Sequence, residues 1–99
     1  MIITKHKEGS RLNVALEGHL DTLTAPELQD SLMEDLPETT DLILDFKNIS
    51  YVSSAGLRVL LYCKRIMNKN QGSMKLINVC DDVMGILEVT GFTDVLTIE

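Results

Sequence analysis

The chain is poor in cysteine and histidine, and it has no long apolar run. Its two cysteines, Cys63 and Cys80, lie far apart and outside any C-x-x-C spacing. Two free thiols are typical of proteins in a reducing compartment. No segment approaches the roughly 18 uncharged apolar residues of a membrane-spanning helix, and residues 1–9 contain no signal-peptide core. We therefore expect a cytoplasmic protein that does not associate with membranes.

Positive charge is also scarce. Nine lysines and arginines, scattered along the chain, stand against fifteen acidic residues, and the formal net charge is −6. Nucleic-acid backbones are bound by clustered basic side chains, so we expect a protein or small-molecule partner and no nucleic acid. With 44% apolar residues, the 99 residues can bury one core, which predicts a single domain over residues 1–99.

Motifs for catalysis and for cofactors are absent as well. The chain has neither G-x-x-x-x-G-K-[ST] nor G-x-G-x-x-G, and it has no G-x-S-x-G elbow. His6 and His19 lack ligand spacing to a cysteine or a carboxylate pair, which argues against a metal site. Ser54, His19 and Asp21 offer a nucleophile, a base and an acid on paper. A single residue separates His19 from Asp21 in a loop, so their side chains should diverge. We expect no enzymatic activity, no cofactor and no metal.

The first twenty residues have the pattern of a β-hairpin. Residues 2–6 and 11–17 predict two short strands that flank a turn at residues 8–10. In the second strand, apolar and polar residues alternate, so one face should be buried. The apolar members are Leu12, Val14 and Leu16.

A helix is predicted next. Thr24 and Glu27 have the spacing of a capping box, and Pro26 suits the first turn of a helix. Leu28, Leu32 and Leu36 follow at intervals of four and should share one buried face. Pro37 should end the helix.

The centre of the chain predicts a buried strand and a second helix. Residues 41–46 form a continuous apolar run, typical of a central strand covered on both faces, and Ser53 and Ser54 should open the helix. The residues predicted to face the core are Val59, Leu60, Cys63, Ile66 and Met67. The opposite row is Arg58, Tyr62, Arg65 and Lys69. We interpret this row as a solvated face, in which Arg58 is the plausible contact.

The last third repeats the alternation of strand and helix. Residues 74–79 predict a strand, Asp81 and Asp82 should open a third helix with Thr90 on its inner side, and Gly91 should end it. Residues 95–98 predict an edge strand. The fold class is therefore α/β, with a mixed, mostly parallel sheet of four to five strands and helices packed on it.

The two adjacent serines are the candidate regulatory site. Backbone N–H groups at a helix N-terminus are unpaired and carry the positive end of the helix dipole, so a phosphate on Ser53 or Ser54 would be stabilised there. Serine is also a common N-cap, and both residues could serve only that purpose.

The motifs resemble those of a known family. The segments are Glu17-Gly18-His19-Leu20-Asp21, Thr24-Ala25, Leu42 to Asp45 and Ile49 to Leu57, which includes Ser53-Ser54-Ala55-Gly56-Leu57. In this order they resemble the STAS domain of bacterial anti-sigma factor antagonists over nearly the whole chain. The resemblance implies a domain that binds an anti-sigma factor and frees a sigma factor. It also implies inactivation when that partner, acting as a serine kinase, phosphorylates the domain, with a serine phosphatase as a possible further partner.

The resemblance also assigns residues. The modified serine falls on Ser54, with Ser53 as the alternative, because Ser53 stands where many relatives carry aspartate. The implied partner-binding residues are Asp21, Ser53, Ser54, Gly56, Leu57 and Arg58. Asp21 could instead only cap a turn. The alternative function is a STAS scaffold or accessory subunit of another complex, in stress signalling or lipid transport, without a phospho-switch. A free edge strand would allow a monomer or a weak homodimer.

Overall fold

The computed structural model describes residues 1–99 and consists of one five-stranded sheet and three α-helices. The strands are β1 (Ile2–Glu8), β2 (Arg11–Leu20), β3 (Asp41–Val52), β4 (Ser73–Ile77) and β5 (Thr97–Ile98). The helices are α1 (Ala25–Met33), α2 (Ser54–Lys69) and α3 (Asp81–Val89), with short 3₁₀ turns at Leu36–Glu38 and Phe92–Asp94. The spatial order is β1-β2-β3-β4-β5; β1 runs antiparallel to β2, and the other pairs are parallel. The predicted fold class and the hairpin are confirmed.

The helices cover one face of the sheet. Leu42, Leu44 and Phe46 of β3 are fully buried, whereas Ile43 and Asp45 between them are only half-buried. All three helices contribute to the same apolar cluster as the buried strand residues. β3 is central, as predicted, but the expectation that it is covered on both faces is wrong, because no helix packs on the second face. None of the helices is both long and apolar enough to cross a bilayer.

β3 extends six residues beyond the predicted end at Phe46, to Val52. Two register shifts against β2 allow this, because at each shift two residues of β3 oppose one residue of β2. The first shift lies beside Asp45, whose carboxylate accepts hydrogen bonds from the Lys47 N–H at 2.9 Å and from Asn78 Nδ2 at 3.0 Å. The Asp45 carboxylate therefore stabilises a bulge within β3.

α1 differs from its prediction at both ends. Thr24 precedes the helix, but its hydroxyl makes no capping bond, so the capping box does not form. The hydroxyl instead donates to the His19 carbonyl at 2.6 Å and accepts from the Asp21 N–H at 2.9 Å. The helix ends at Met33, before Pro37, and a 3₁₀ turn begins at Leu36, whose side chain is still fully buried.

Lys5 of β1 binds the C-terminal end of α1. Its ammonium donates to the Ser31 carbonyl and to the Asp35 carboxylate, both at 2.8 Å, and to Glu34 at 3.1 Å. The hydrogen bond to Asp35 is the main cause that raises the pKa of Lys5 above its ordinary value. The stabilisation is therefore complete below the ordinary pKa and is lost as the pH rises through the raised one. This contact attaches the edge strand to the helical layer.

The C-terminal third follows the prediction with shorter strands. β4 ends at Ile77 because Asn78 adopts a left-handed conformation with φ of 58°. Gly91 ends α3 with φ of 78°, as predicted. Thr90 is exposed rather than inward-facing, because its hydroxyl donates to the Ile86 carbonyl at 2.7 Å. The edge strand is present and short, at Thr97–Ile98.

Gly72 should be the glycine on which the connection from α2 to β4 most depends. A Cβ at this position would lie 2.3 Å from the carbonyl oxygen of Thr40, a backbone atom that cannot rotate away. We expect Gly72→Ala to lower the free energy of unfolding by about 1–3 kcal/mol, as overpacking does. The matched control is Gly85→Ala within α3, where a Cβ meets nothing within 4 Å, and which should stabilise by about 0.5–1 kcal/mol. Urea unfolding of both variants checks this; equal stability of the two would contradict it.

Candidate functional site

The carboxyl ends of β2 and β3 bring the two candidate loops together. Leu20 pairs with Val52 in the parallel register, and the Ser53 N–H donates to the Leu20 carbonyl at 2.8 Å. Asp21 directly follows Leu20, and Ser53 directly follows Val52. The sheet therefore places the Asp21 loop beside the start of α2.

Ser53 is the N-cap of α2. Its backbone is extended, with φ of −88° and ψ of 175°, and its hydroxyl oxygen accepts from the Gly56 N–H at 3.3 Å. Its carbonyl accepts the first helical bond, from the Leu57 N–H at 2.9 Å. The side chain is half-buried. The capping role that serine commonly has at a helix start is therefore the role of Ser53.

Ser54 has a different environment although it is the next residue. It is the first residue of α2, its side chain is exposed, and its hydroxyl makes no hydrogen bond within the chain. The backbone N–H groups of Ser54 and Ala55 also have no acceptor in the chain, because the helical bonds begin at Leu57 and the Ser53 side chain takes Gly56. A phosphate on Ser54 would lie beside these two free donors and the positive end of the helix dipole.

Asp21 closes a tight turn before α1. One carboxylate oxygen accepts from the Leu23 N–H at 2.9 Å and from the Thr24 N–H at 3.1 Å, and the Thr24 hydroxyl oxygen lies 3.2 Å from it. The bond from the Thr24 N–H is the main cause that holds the pKa of Asp21 below its ordinary value. The turn-capping role is thus present in the structure. A contact with a partner stays a prediction for this residue.

Gly56 and Leu57 support the site from beneath. Both are buried, and a Cβ on Gly56 would lie 2.8 Å from both Cγ and the carbonyl oxygen of Leu20. The missing side chain lets α2 approach the end of β2. Through this packing, both residues position Ser53 and Ser54. A direct contact of Gly56 or Leu57 with a partner stays a prediction.

Arg58 lies one helical turn after Ser54 on the exposed side of α2. It lines an open groove of about 340 Å³ between α1 and α2. Thr22, Pro26 and Asp30 line the opposite wall. Arg58 forms no ion pair within the chain, so its guanidinium is available to a phosphate or to a partner.

Sequence reasoning missed two exposed apolar side chains, one on each of the two segments that lead to the site. Leu23 is 82% exposed and Tyr51 is 48% exposed, and the Tyr51 ring meets the His19 ring edge to face at 6.3 Å between centroids. Leu23 had a recognisable signal, since it lies outside the four-residue spacing of the leucines in α1. His19 makes no hydrogen bond to Asp21 or to Ser54 in the chain, so these three residues are not arranged as a nucleophile, base and acid.

The fold and the site together define a small α/β domain with a hydroxyl-bearing helix terminus at the carboxyl edge of its sheet. The family model of the STAS domain matches residues 1–99, and the chain belongs to this family.

Among curated proteins, the chain is 30% identical over 87 residues to the anti-sigma-B factor antagonist of Bacillus subtilis (strain 168), covering 88% of this chain and 80% of that protein. The protein of the same description from Staphylococcus aureus (strain NCTC 8325) is 30% identical over 84 residues, covering 84% and 78%.

Solved structures share the fold at lower identity. The unphosphorylated form of the anti-sigma factor antagonist SpoIIAA matches with a TM-score of 0.80 at 16% identity, covering 99% of this chain and 87% of that one. The phosphorylated form of the same Bacillus protein matches with 0.77 at 16% identity, covering 99% and 91%. An anti-sigma factor antagonist from Mycobacterium paratuberculosis matches with 0.85 at 17% identity, covering 98% and 83%.

The two serines should differ in their effect on stability. Ser53→Ala removes the cap of α2 and should lower the free energy of unfolding by about 1 kcal/mol. Ser54→Ala removes an exposed hydroxyl without a partner and should change it by less than about 0.5 kcal/mol. Urea denaturation of both variants measures the difference, and a larger loss for Ser54→Ala would contradict the assignment of the cap.

The turn at Asp21 should be sensitive to acid. Because the folded pKa of Asp21 is lowered, its carboxylate stabilises the fold above the ordinary value, and this contribution disappears as the pH falls through the lowered value. The stability difference between wild type and Asp21→Asn should therefore be largest at neutral pH and should begin to shrink as the pH falls below about 4. Unfolding at a series of pH values tests this. A carboxyl NMR titration of Asp21 with a midpoint at or above 3.8 would contradict it.

Proposed function

We propose that the chain is an anti-sigma factor antagonist that binds an anti-sigma factor, frees the sigma factor, and is switched off by phosphorylation of Ser54. The relatives from Bacillus subtilis and Staphylococcus aureus, which carry this description, support the choice of partner class. The anti-sigma factor would itself be the serine kinase, and a serine phosphatase would restore binding.

The observation that carries the proposal is the environment of the Ser54 hydroxyl. It is exposed, it has no hydrogen bond within the chain, and it lies beside two unpaired backbone donors. A kinase can reach such a hydroxyl without unfolding the helix. The product, with a charge of about −1.5 to −2, would be stabilised by the helix terminus. Phosphorylation should therefore leave the fold unchanged.

Ser53 is the weaker candidate for the same reason. Its hydroxyl is half-buried and accepts the Gly56 N–H, so a kinase would have to break the cap before it could transfer a phosphate. Loss of a cap costs about 1 kcal/mol, and the hydroxyl would also have to leave its half-buried position. The geometry therefore favours Ser54 as acceptor and Ser53 as its structural support.

The switch would act on binding through charge. Asp21 already contributes a negative charge beside Ser54, and a phosphate would add to it at the same edge of the domain. Like charges brought together across an interface cost several kcal/mol, and each 1.4 kcal/mol weakens binding tenfold. A single phosphate is sufficient to release a complex of ordinary strength.

The direct test is phosphorylation by the partner. The purified chain is incubated with ATP and each anti-sigma factor encoded in the source genome, and the intact mass is measured. We expect a gain of about 80 Da that maps to Ser54. Ser53→Ala should still be modified and Ser54→Ala should not. In a binding assay, Ser54→Asp should bind the anti-sigma factor at least about 100-fold more weakly than Ser54→Ala.

Other results would decide against the proposal. A stable complex without any mass change would indicate the scaffold or accessory-subunit function. Modification at Ser53 alone would overturn the assignment of the acceptor. Equal affinity of the anti-sigma factor for Ser54→Asp and Ser54→Ala would contradict the charge mechanism.

A further inference from the structure

The charges of the chain are not evenly distributed, which corrects the scatter inferred from composition. Residues 46–80 contain six of the nine lysines and arginines and none of the fifteen acidic residues. The six cations are Lys47, Arg58, Lys64, Arg65, Lys69 and Lys75. The rest of the chain is therefore strongly acidic, and this tract, which includes all of α2, is basic.

Within this tract, α2 presents a continuous cationic surface. Residues 58, 62, 65 and 69 follow one another at helical spacing, so they lie on the same side of α2. We call these four residues the basic face of α2: Arg58, Tyr62, Arg65 and Lys69. The three cations are exposed, and Tyr62 is half-buried against the core. The opposite side of the helix packs into the core, and the basic face lies on the side turned away from it.

The cations of the basic face have no acidic partners in the chain. Four other cations are in ion pairs: Lys5, Lys7, Arg11 and Lys75. None of the cations on α2 forms one, and α2 contains no acidic residue. Asp30 lines the same groove as Arg58 but forms no ion pair with it. A row of unpaired cations in a protein of net charge −6 is complementary to an acidic surface.

The form of this surface favours a protein over a nucleic acid. The cations occupy one side of one helix, and all fifteen acidic residues lie outside residues 46–80. A nucleic acid that extended beyond this helix would therefore be repelled by the acidic remainder of the domain. Only one aromatic side chain, Tyr62, lies among them, and it is half-buried, which is too little for stacking of successive bases. A folded protein with a local acidic patch can contact the helix and avoid the acidic remainder.

We propose that the basic face of α2 is a docking surface for an acidic patch on the anti-sigma factor. This inference rests on the proposed function and specifies the chemistry of the partner. The face begins at Arg58, one helical turn after Ser54, so it is continuous with the phosphorylation site. A phosphate on Ser54 would lie four residues before Arg58, the spacing at which opposite charges pair on a helix. Phosphorylation would then occupy the first cation of the face and also repel the acidic patch.

The test compares two charge reversals of equal size. Arg65→Glu lies on the basic face, and Lys47→Glu changes an exposed, unpaired lysine on β3. Association with the anti-sigma factor identified above is measured by stopped flow over a range of salt concentrations. Arg65→Glu should lower the association rate constant about fivefold at low salt and flatten its salt dependence, because steering by this charge is lost. Lys47→Glu should change the rate less than about twofold.

Two results of this experiment would overturn the inference while the proposed function stands. One is equal association rates and salt dependence for the two variants. The other is sedimentation that shows self-association of wild type through this face, abolished by Arg65→Glu, since the occupant would then be a second copy.

If no anti-sigma factor binds wild type, the proposed function is refuted. A second measurement then still tests whether the basic face of α2 binds an acidic polypeptide. The ¹⁵N-labelled chain is titrated with poly-L-glutamate. Amide shifts should be confined to α2, should disappear in Arg65→Glu and should persist in Lys47→Glu. Shifts spread over the chain, or tighter binding of an oligothymidylate at the same face, would overturn the inference.

Discussion

The close approach of α2 to the end of β2 is the constraint on which the site depends. At Gly56 the helix lies so near to Leu20 that a single added carbon would contact the Leu20 side chain and carbonyl at 2.8 Å. The Leu20 carbonyl also accepts the Ser53 N–H, so the same strand end fixes both the position and the start of the helix. Any side chain at position 56 would move the helix terminus away from the Asp21 loop. The proximity of these two loops is therefore a consequence of packing, whatever partner they bind.

The same constraint divides two identical side chains into different roles. Ser53 is the last extended residue before α2, and its hydroxyl meets the Gly56 N–H; Ser54 is one residue further on, and its hydroxyl points to no acceptor or donor of the chain. A shift of one residue along a helix start turns a side chain by about 100°, since a turn contains 3.6 residues. Chemistry at Ser54 can therefore change without loss of the cap.

Sequence reasoning succeeded where one physical effect dominated and was wrong where two competed. The alternation of Leu12, Val14 and Leu16 with polar residues predicts a strand with one buried face, and all three side chains are buried. Burial of apolar area is the only effect that acts strongly on these three side chains. At Thr24, the capping box requires the Glu27 carboxylate to accept the Thr24 N–H, but the Asp21 carboxylate of the preceding turn accepts it instead. At Asp45, a hydrogen bond from a following backbone N–H is typical of an aspartate at a strand end. That this bond stabilises a bulge depends on the pairing of β3 with β2, which a local sequence pattern does not contain. The absence of acidic residues from residues 46–80 is visible in the sequence. The lack of ion pairs on α2 depends on which side chains the fold brings together, so the sequence alone does not show it.

These features together would allow the proposed switch to act without a change of fold. The helix terminus offers free donors to a phosphate, so the modified form loses none of the packing that holds Gly56 against Leu20. The effect of the added charge must then appear outside the domain, on whatever surface faces Ser54. On α2 that surface is cationic and has no internal partners, so its potential is directed toward solvent and is available to an incoming acidic protein. A phosphate at the end of such a helix changes the sign of the charge that the partner meets first. In the switch that we propose, this change of sign would convert binding into release.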